Sequence, residues 1–172
     1  MIYRYICFAI LLFSSYACKN KTNETIKNED FINHFYLVRH AEKDRLNPED
    51  NNPQLTNEGL LRAKNLSTTL SHLPLDAVYS TNYTRTLQTA KPTANKNNID
   101  ITTYKPSEID ITNIIKVHKN VLIVGHSNTI PQLVNSIIKS DVYSDIEDDN
   151  FGNLYHITIT NGQVSDYTLT NY

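Results

Sequence analysis

VLIVG, residues 121–125, is the stretch on which the fold turns. Val121 to Val124 run without a polar interruption and stop at Gly125. A strand with one wet face alternates apolar and polar residues; a short unbroken apolar run is the pattern of a strand buried on both faces. Such strands lie in sheets covered by helices on both sides, and the flanks agree. Glu108 to His118 reads as a helix before the run and Thr129 to Lys139 as one after it, with Pro131 in the first turn, where its missing N–H costs nothing. Further out, HFYLVR (34–39), DAVYS (76–80) and Ile99 to Tyr104 read as strands. Thr56 caps a helix in which Leu60, Ala63, Leu66 and Leu70 recur at three- and four-residue steps, and Tyr83 to Lys96 forms another with Leu87 and Ala90 on one face. Leu154–Thr160 and Val164–Thr170, joined by Asn161-Gly162-Gln163, read as an antiparallel hairpin. Strands alternating with helices predict an α/β three-layer sandwich, a mostly parallel sheet with an antiparallel edge strand.

The 172 residues fit one domain, and 40% hydrophobic with 20% charged residues suffices for a packed core. A formal net charge of -2 shows no basic excess, so no nucleic-acid partner is expected, and any anion site must be a local cluster. Both cysteines, Cys7 and Cys18, lie at the N-terminus, so the rest of the chain has no thiol for a disulfide, a nucleophile or a metal. The apolar run YICFAILLFSSYA (5–17) follows Arg4 and is too short to span a bilayer comfortably. It reads as a signal peptide over 1–17, cut between Ala17 and Cys18. Cys18 stands where bacterial lipoproteins carry their lipid-modified cysteine, although Ser15 occupies a position that usually holds Leu. A plain signal peptide and an uncleaved anchor are the alternatives. Residues 18–33 are polar and read as a tether, with the folded domain over 34–172. The expected location is outside the cytoplasm, on a membrane surface facing the periplasm or cell exterior.

Three clusters follow predicted strands: Arg39-His40-Ala41-Glu42, Ser80 to Arg85, and Gly125-His126-Ser127-Asn128. Ligands of open α/β sheets bind at the carboxyl ends of strands, so Arg39, His40, Arg85 and His126 are expected on one rim. Guanidinium groups pair phosphate oxygens as planar forks. Two arginines and one histidine would form an anion pocket, and the other histidine could attack phosphorus. Positioning and charge stabilisation would then carry the catalysis, with no metal or cofactor required. Taken singly, an Arg-His pair is usually a solvated surface pair and a histidine after a strand is usually structural; their joint placement carries the reading.

These residues resemble the motifs of the histidine phosphatase superfamily, the phosphoglycerate-mutase-like proteins. YLVRHAEK (36–43) is similar to the signature strand and turn, which implies His40 as the phosphorylated nucleophile and Arg39 as a phosphate ligand. Leu55-Thr56 with Gly59 and Ala63 resembles a structural segment of the family. Ser80 to Ala90 (STNYTRTLQTA) implies Arg85 as the second phosphate arginine, and Val124 to Thr129 (VGHSNT) implies His126 as the second pocket histidine. The resemblance implies a phosphatase acting on phosphomonoesters or phosphohistidine, with a phosphorylated small molecule or phosphoprotein as substrate. The extra acidic and cap segments of the larger mutases are missing. A mutase-type phosphotransferase is the alternative, and so is a lipid-anchored module that binds phosphorylated ligands without turnover. For the proton donor, Glu108 lies where mutase-like relatives place their acid. Glu42 is a second candidate; so near two arginines it should stay ionised and instead orient Arg39 or Arg85. No dedicated acid is the third option.

Two other chemistries have weaker footing. Gly125-His126-Ser127-Asn128-Thr129 begins like a serine nucleophile elbow, but Thr129 replaces its second Gly and only His156 follows as a base. The six histidines show no H-E-x-x-H spacing, so no metal site is expected, and His34, His72, His118 and His156 should be surface or structural. Specificity is expected from the loops Asp44 to Gln54 and Asp141 to Asn150.

Overall fold

The computed structural model describes residues 30–172. The segment read as a signal peptide, the cleavage expected after Ala17, and Cys18 lie outside the described residues. Among the described residues, no helix is long and apolar enough to cross a membrane.

The elements run β1 (Ile32–Arg39), α1 (Asn57–Thr69), β2 (Ala77–Thr81), α2 (Thr84–Asn97), β3 (Ile101–Tyr104), α3 (Ile111–Val117), β4 (Asn120–Gly125), α4 (Thr129–Ile138), β5 (Asn153–Thr160) and β6 (Gln163–Asn171). They build one six-stranded sheet in the order β3-β2-β4-β1-β5-β6. The first four strands are parallel; β5 runs antiparallel to β1, and β6 antiparallel to β5. β4, the VLIVG run, sits between β1 and β2, and Val121 to Val124 are wholly buried.

The pleat of each strand feeds two cores. Phe35, Leu37, Val121, Ile123, Tyr155 and Ile157 pack with Ile114 of α3 and with Ile130 and Val134 of α4. Tyr36, Val38, Val78, Leu122 and Val124 pack on the other face with Leu66 of α1, with Leu70 that caps it, and with Ala90 and Ala94 of α2. The layers are therefore helix, sheet, helix, as the alternation predicted.

Two glycines permit close approaches that position the functional segments. A Cβ on Gly59 would overlap the Glu42 carbonyl, so Gly59 lets α1 dock against the turn after β1. A Cβ on Gly125 would meet the Ile130 side chain at 2.9 Å and the Tyr104 hydroxyl at 3.0 Å, so Gly125 lets α4 fold back directly behind β4.

Two local expectations change. β1 begins at Ile32, inside the stretch read as tether, because Ile32 and Asn33 pair with β5. Asn33 is fully buried, and its amide donates to the carbonyls of Ile115 (2.9 Å) and His118 (2.6 Å). Helix α3 begins at Ile111, capped by the Asp110 carboxylate, which accepts from the Asn113 N–H at 3.0 Å. Residues 105–108 form a turn instead, closed by Glu108 N–H donating to the Lys105 carbonyl at 2.8 Å. Glu108 therefore does not open the helix.

Candidate active site

His40 follows the last residue of β1, and its position is fixed by bonds from two distant segments. Its backbone N–H donates to the Gly125 carbonyl at 2.9 Å, extending the β1–β4 ladder by one step. The next N–H, of Ala41, donates to Thr89 Oγ1 at 3.0 Å. The imidazole is 4% exposed, and Nδ1 lies 2.8 Å from the Ala41 carbonyl. A carbonyl only accepts, so Nδ1 carries the proton and Nε2 keeps its lone pair. Burial first, then the positive charges of Arg85 and Arg39, pushes the His40 pKa down to about 3. At neutral pH the ring is therefore neutral, in a defined tautomer.

His126 stands at the end of β4, its backbone N–H donating to Thr129 Oγ1 at 3.1 Å. Its ring meets that of His40 edge-on, with centroids 5.6 Å apart. Nε2 lies 3.0 Å from Thr81 Oγ1, whose hydroxyl is also bonded to Thr86 Oγ1 at 3.1 Å. Burial and the two arginines lower the His126 pKa to about 4.

Arg85 enters from the first turn of α2, its guanidinium 4.4 Å above the Tyr83 ring. Its Nε and Nη1 are buried and find no partner among the described residues. Desolvation and the proximity of Arg39 depress its pKa. Arg39 is held differently. Nη1 donates to the carbonyls of Glu147 (2.8 Å), Asp148 (3.2 Å) and Asn150 (2.9 Å), Nη2 donates to Asp148 Oδ1 (3.1 Å), and the plane lies 4.3 Å from the Phe151 ring. Only its Nε is buried without a partner among the described residues. The Asp148 carboxylate also binds Arg45 (2.7 Å), and these hydrogen bonds hold its pKa down to about 2.

The structure thus brings Arg39, His40, Arg85 and His126 together as expected. Among the described residues, three buried guanidinium nitrogens lack acceptors beside a lone-pair imidazole, an environment that calls for a bound anion. Two expected contacts differ. Glu42 orients neither Arg39 nor Arg85: its Oε1 takes the Nε (2.7 Å) and Nη2 (2.5 Å) of Arg62, on the facing turn of α1. Glu108 is exposed and paired with Lys105 at 2.8 Å. Beside it opens a cleft of about 680 Å3 lined by Tyr83, Arg85, Tyr104, Pro106, Ser107 and His126, and none of its lining residues is a carboxylate.

Ser127 has no triad base at hand. His156 is engaged on the sheet, with Nε2 3.1 Å from His34 Nδ1 and its ring stacked on Tyr36 at 4.6 Å. Sequence reasoning passed over Arg62, Thr81, Asp148 and Phe151. It quoted Gln88 and Thr89 only as pattern, whereas Gln88 Oε1 accepts from the Leu55 N–H at 2.7 Å and Thr89 holds the Ala41 N–H.

Buried neutral histidines make stability pH-dependent. An unfolded histidine binds a proton near pH 6.5, whereas His126 and His40 resist until about pH 4 and about pH 3. Below about pH 6.5 the unfolded chain therefore binds more protons, and stability falls as pH falls, by about 1.4 kcal/mol per pH unit for each histidine. Urea unfolding between pH 7 and pH 4.5 is expected to show this slope, and His126→Asn should shallow it by about one proton's worth. An unchanged slope in that variant would show that His126 already charges in the folded state.

Residues 35–106 match the sequence model of the histidine phosphatase superfamily (branch 1), a span that includes Arg39, His40 and Arg85. That stretch is similar to the histidine phosphatase superfamily. No curated protein sequence matches the chain significantly. Solved structures extend the likeness of fold beyond that span. A candidate phosphohistidine phosphatase, SixA, from Agrobacterium tumefaciens superposes with a TM-score of 0.58 at 18% identity, covering 79% of this chain and 97% of the other. A candidate alpha-ribazole-5'-P phosphatase from Escherichia coli gives 0.65 at 16% identity, covering 81% and 96%. A mutant phosphoserine phosphatase from Entamoeba histolytica, in complex with phosphoserine, gives 0.60 at 13% identity, covering 78% and 96%.

Proposed function

We propose that this chain is a phosphatase of the histidine phosphatase superfamily that passes a phosphoryl group from its substrate to His40 and then to water. The observation that carries this reading is the His40 imidazole, neutral and locked with Nε2 unprotonated, beside the unpartnered donors of Arg39 and Arg85. Nε2 attacks phosphorus as the leaving group departs in line, and the guanidinium donors take up charge on the equatorial oxygens. A bound phosphoryl dianion favours the protonated form of His126, which then adds a cationic donor. In the second step water attacks phosphorus, the P–N bond breaks, and Nε2 recovers its lone pair. The arginines supply the positive charge, so the reading requires no metal, and a chelator should leave the rate unchanged.

The substrate class follows from what lines the cleft. None of the residues lining the cleft beside Arg85 and His126 is a carboxylate, and Glu108 would have to leave Lys105 to serve as an acid there. Substrates whose leaving group departs without a proton are therefore favoured: phosphohistidine and aryl phosphates over alkyl phosphates. The test is kcat/KM over a leaving-group series in wild type and Glu108→Gln. Wild type should rise steeply with leaving-group acidity, and the variant should follow it. A loss of about 10²-fold or more in Glu108→Gln, confined to alkyl esters, would make Glu108 the proton donor instead.

Export and lipid attachment at Cys18 rest on the N-terminal sequence. On this reading Cys18→Ser moves the protein from the membrane fraction to the soluble one or stalls its processing. Membrane retention after cleavage at Ala17 would assign the anchor elsewhere.

A further inference from the structure

The two edges of the sheet are finished differently. β3, at one edge, is four residues long and is followed by Lys105-Pro106, a cation and a residue without an N–H. Short strands, lysine and proline are the usual devices that stop an edge from pairing with another chain. β6, at the other edge, is nine residues long, contains neither Lys nor Pro, and carries one charge, Asp166. Among the described residues β6 pairs only with β5, and all nine of its residues are exposed.

The exposed face is apolar in a stripe. Leu169, Tyr167 and Val164 stand opposite Tyr155, Ile157 and Ile159 of β5, so they continue the core face of the sheet past its last helix. Ser165 is the extra residue at the register shift, and this brings Val164 back to the same face. The three remain 36% to 42% exposed, an open continuation of the core. Residues 166–171 lie clear of the shift and form a regular ladder.

We propose that β6 pairs antiparallel with β6 of a second copy of this chain, about a two-fold axis through Thr168, joining two sheets into one of twelve strands. The sequence of the strand is self-complementary about that point. Tyr167 then faces Leu169 of the second copy, twice by symmetry, Thr168 faces Thr168, and Asp166 faces Thr170. Apolar residues meet apolar, hydroxyls meet hydroxyls, and the two carboxylates do not oppose each other. A one-residue shift of the axis to Tyr167 sets Leu169 against Ser165 at the bulge, which loses this match. Arg39, His40, Arg85 and His126 lie at or beyond the ends of β1, β2 and β4 and lend nothing to this edge, so the proposal stands apart from the phosphatase reading.

Only a residue on the axis meets its own copy, which makes crosslinking decisive. In the full chain in detergent, with Cys7 and Cys18 changed to Ser, Thr168→Cys should oxidise to a disulfide-linked dimer, because directly opposed strand residues fall within disulfide reach. Thr103→Cys on the β3 edge should stay monomeric, and adding Leu169→Lys to Thr168→Cys should abolish the dimer. A monomeric Thr168→Cys, or equal crosslinking at Thr103→Cys, would overturn the pairing. Sedimentation equilibrium of the unsubstituted full chain in density-matched detergent reads the same question without mutation. Twice the mass of the single chain is expected, and the single-chain mass would refute the dimer.

Discussion

His40→Ala is expected to lower kcat/KM at least ~10³-fold on every substrate, including those with good leaving groups, since nucleophile and pocket act as a unit. The size follows from the geometry. The other pocket groups can bind and polarise a phosphoryl group, but the carbonyl of Ala41 and the ladder bond to Gly125 aim only one lone pair, that of His40. Thermal unfolding of the same variant separates chemistry from folding. The ring is buried, so its loss leaves a cavity and a modest destabilisation, but the chain should remain folded. A folded His40→Ala with turnover near wild type would mean that water is activated directly, without a covalent step.

Arg85→Met is expected to move activity and stability in opposite directions. It removes two buried donors that face the phosphoryl site, a loss of roughly 2–4 kcal/mol of transition-state stabilisation, or about 30- to 10³-fold in rate. Yet those two donors are buried without an acceptor among the described residues, so an apolar side chain of similar length should stabilise the fold by about 1 kcal/mol. Arg39→Met should lose on both counts, because four hydrogen bonds to residues 147–150 go with it. Arg85→Lys should also be impaired, since an ammonium lacks the planar fork. Paired melting curves and kinetics read the contrast directly. Equal destabilisation in the two Met variants would make Arg85 a structural residue.

The parts of this molecule that were legible in the sequence are those encoded locally. VLIVG reports burial on both faces because Val121 to Val124 face the two cores in turn, and the Asn161-Gly162 turn reports a hairpin because positive φ at both residues suits its twist. The four pocket residues were legible because each lies at or shortly beyond the carboxyl end of a strand, on the same rim. What escaped is long-range and polar. The cradle of Arg39 is built from carbonyls more than a hundred residues away, and backbone groups leave no trace in residue identity. Glu42 could not be assigned to Arg62 without knowing that Gly59 brings α1 against its turn. Asn33 looked like linker because its composition is polar, although its amide satisfies two buried carbonyls behind α3. Glu108 looked like a helix start because a strong cap two residues later, Asp110, was not weighed against it.

The central claim is that phosphate becomes covalently attached to His40, and the most direct measurement is to catch it there. Wild-type enzyme mixed with radiolabelled substrate and quenched rapidly without acid should carry label that survives alkali, is lost in acid, and maps by mass spectrometry to the His40 imidazole. His40→Ala should carry none. Label on Ser127 or His126, or no label on an enzyme that is turning over at the moment of quenching, would contradict the account.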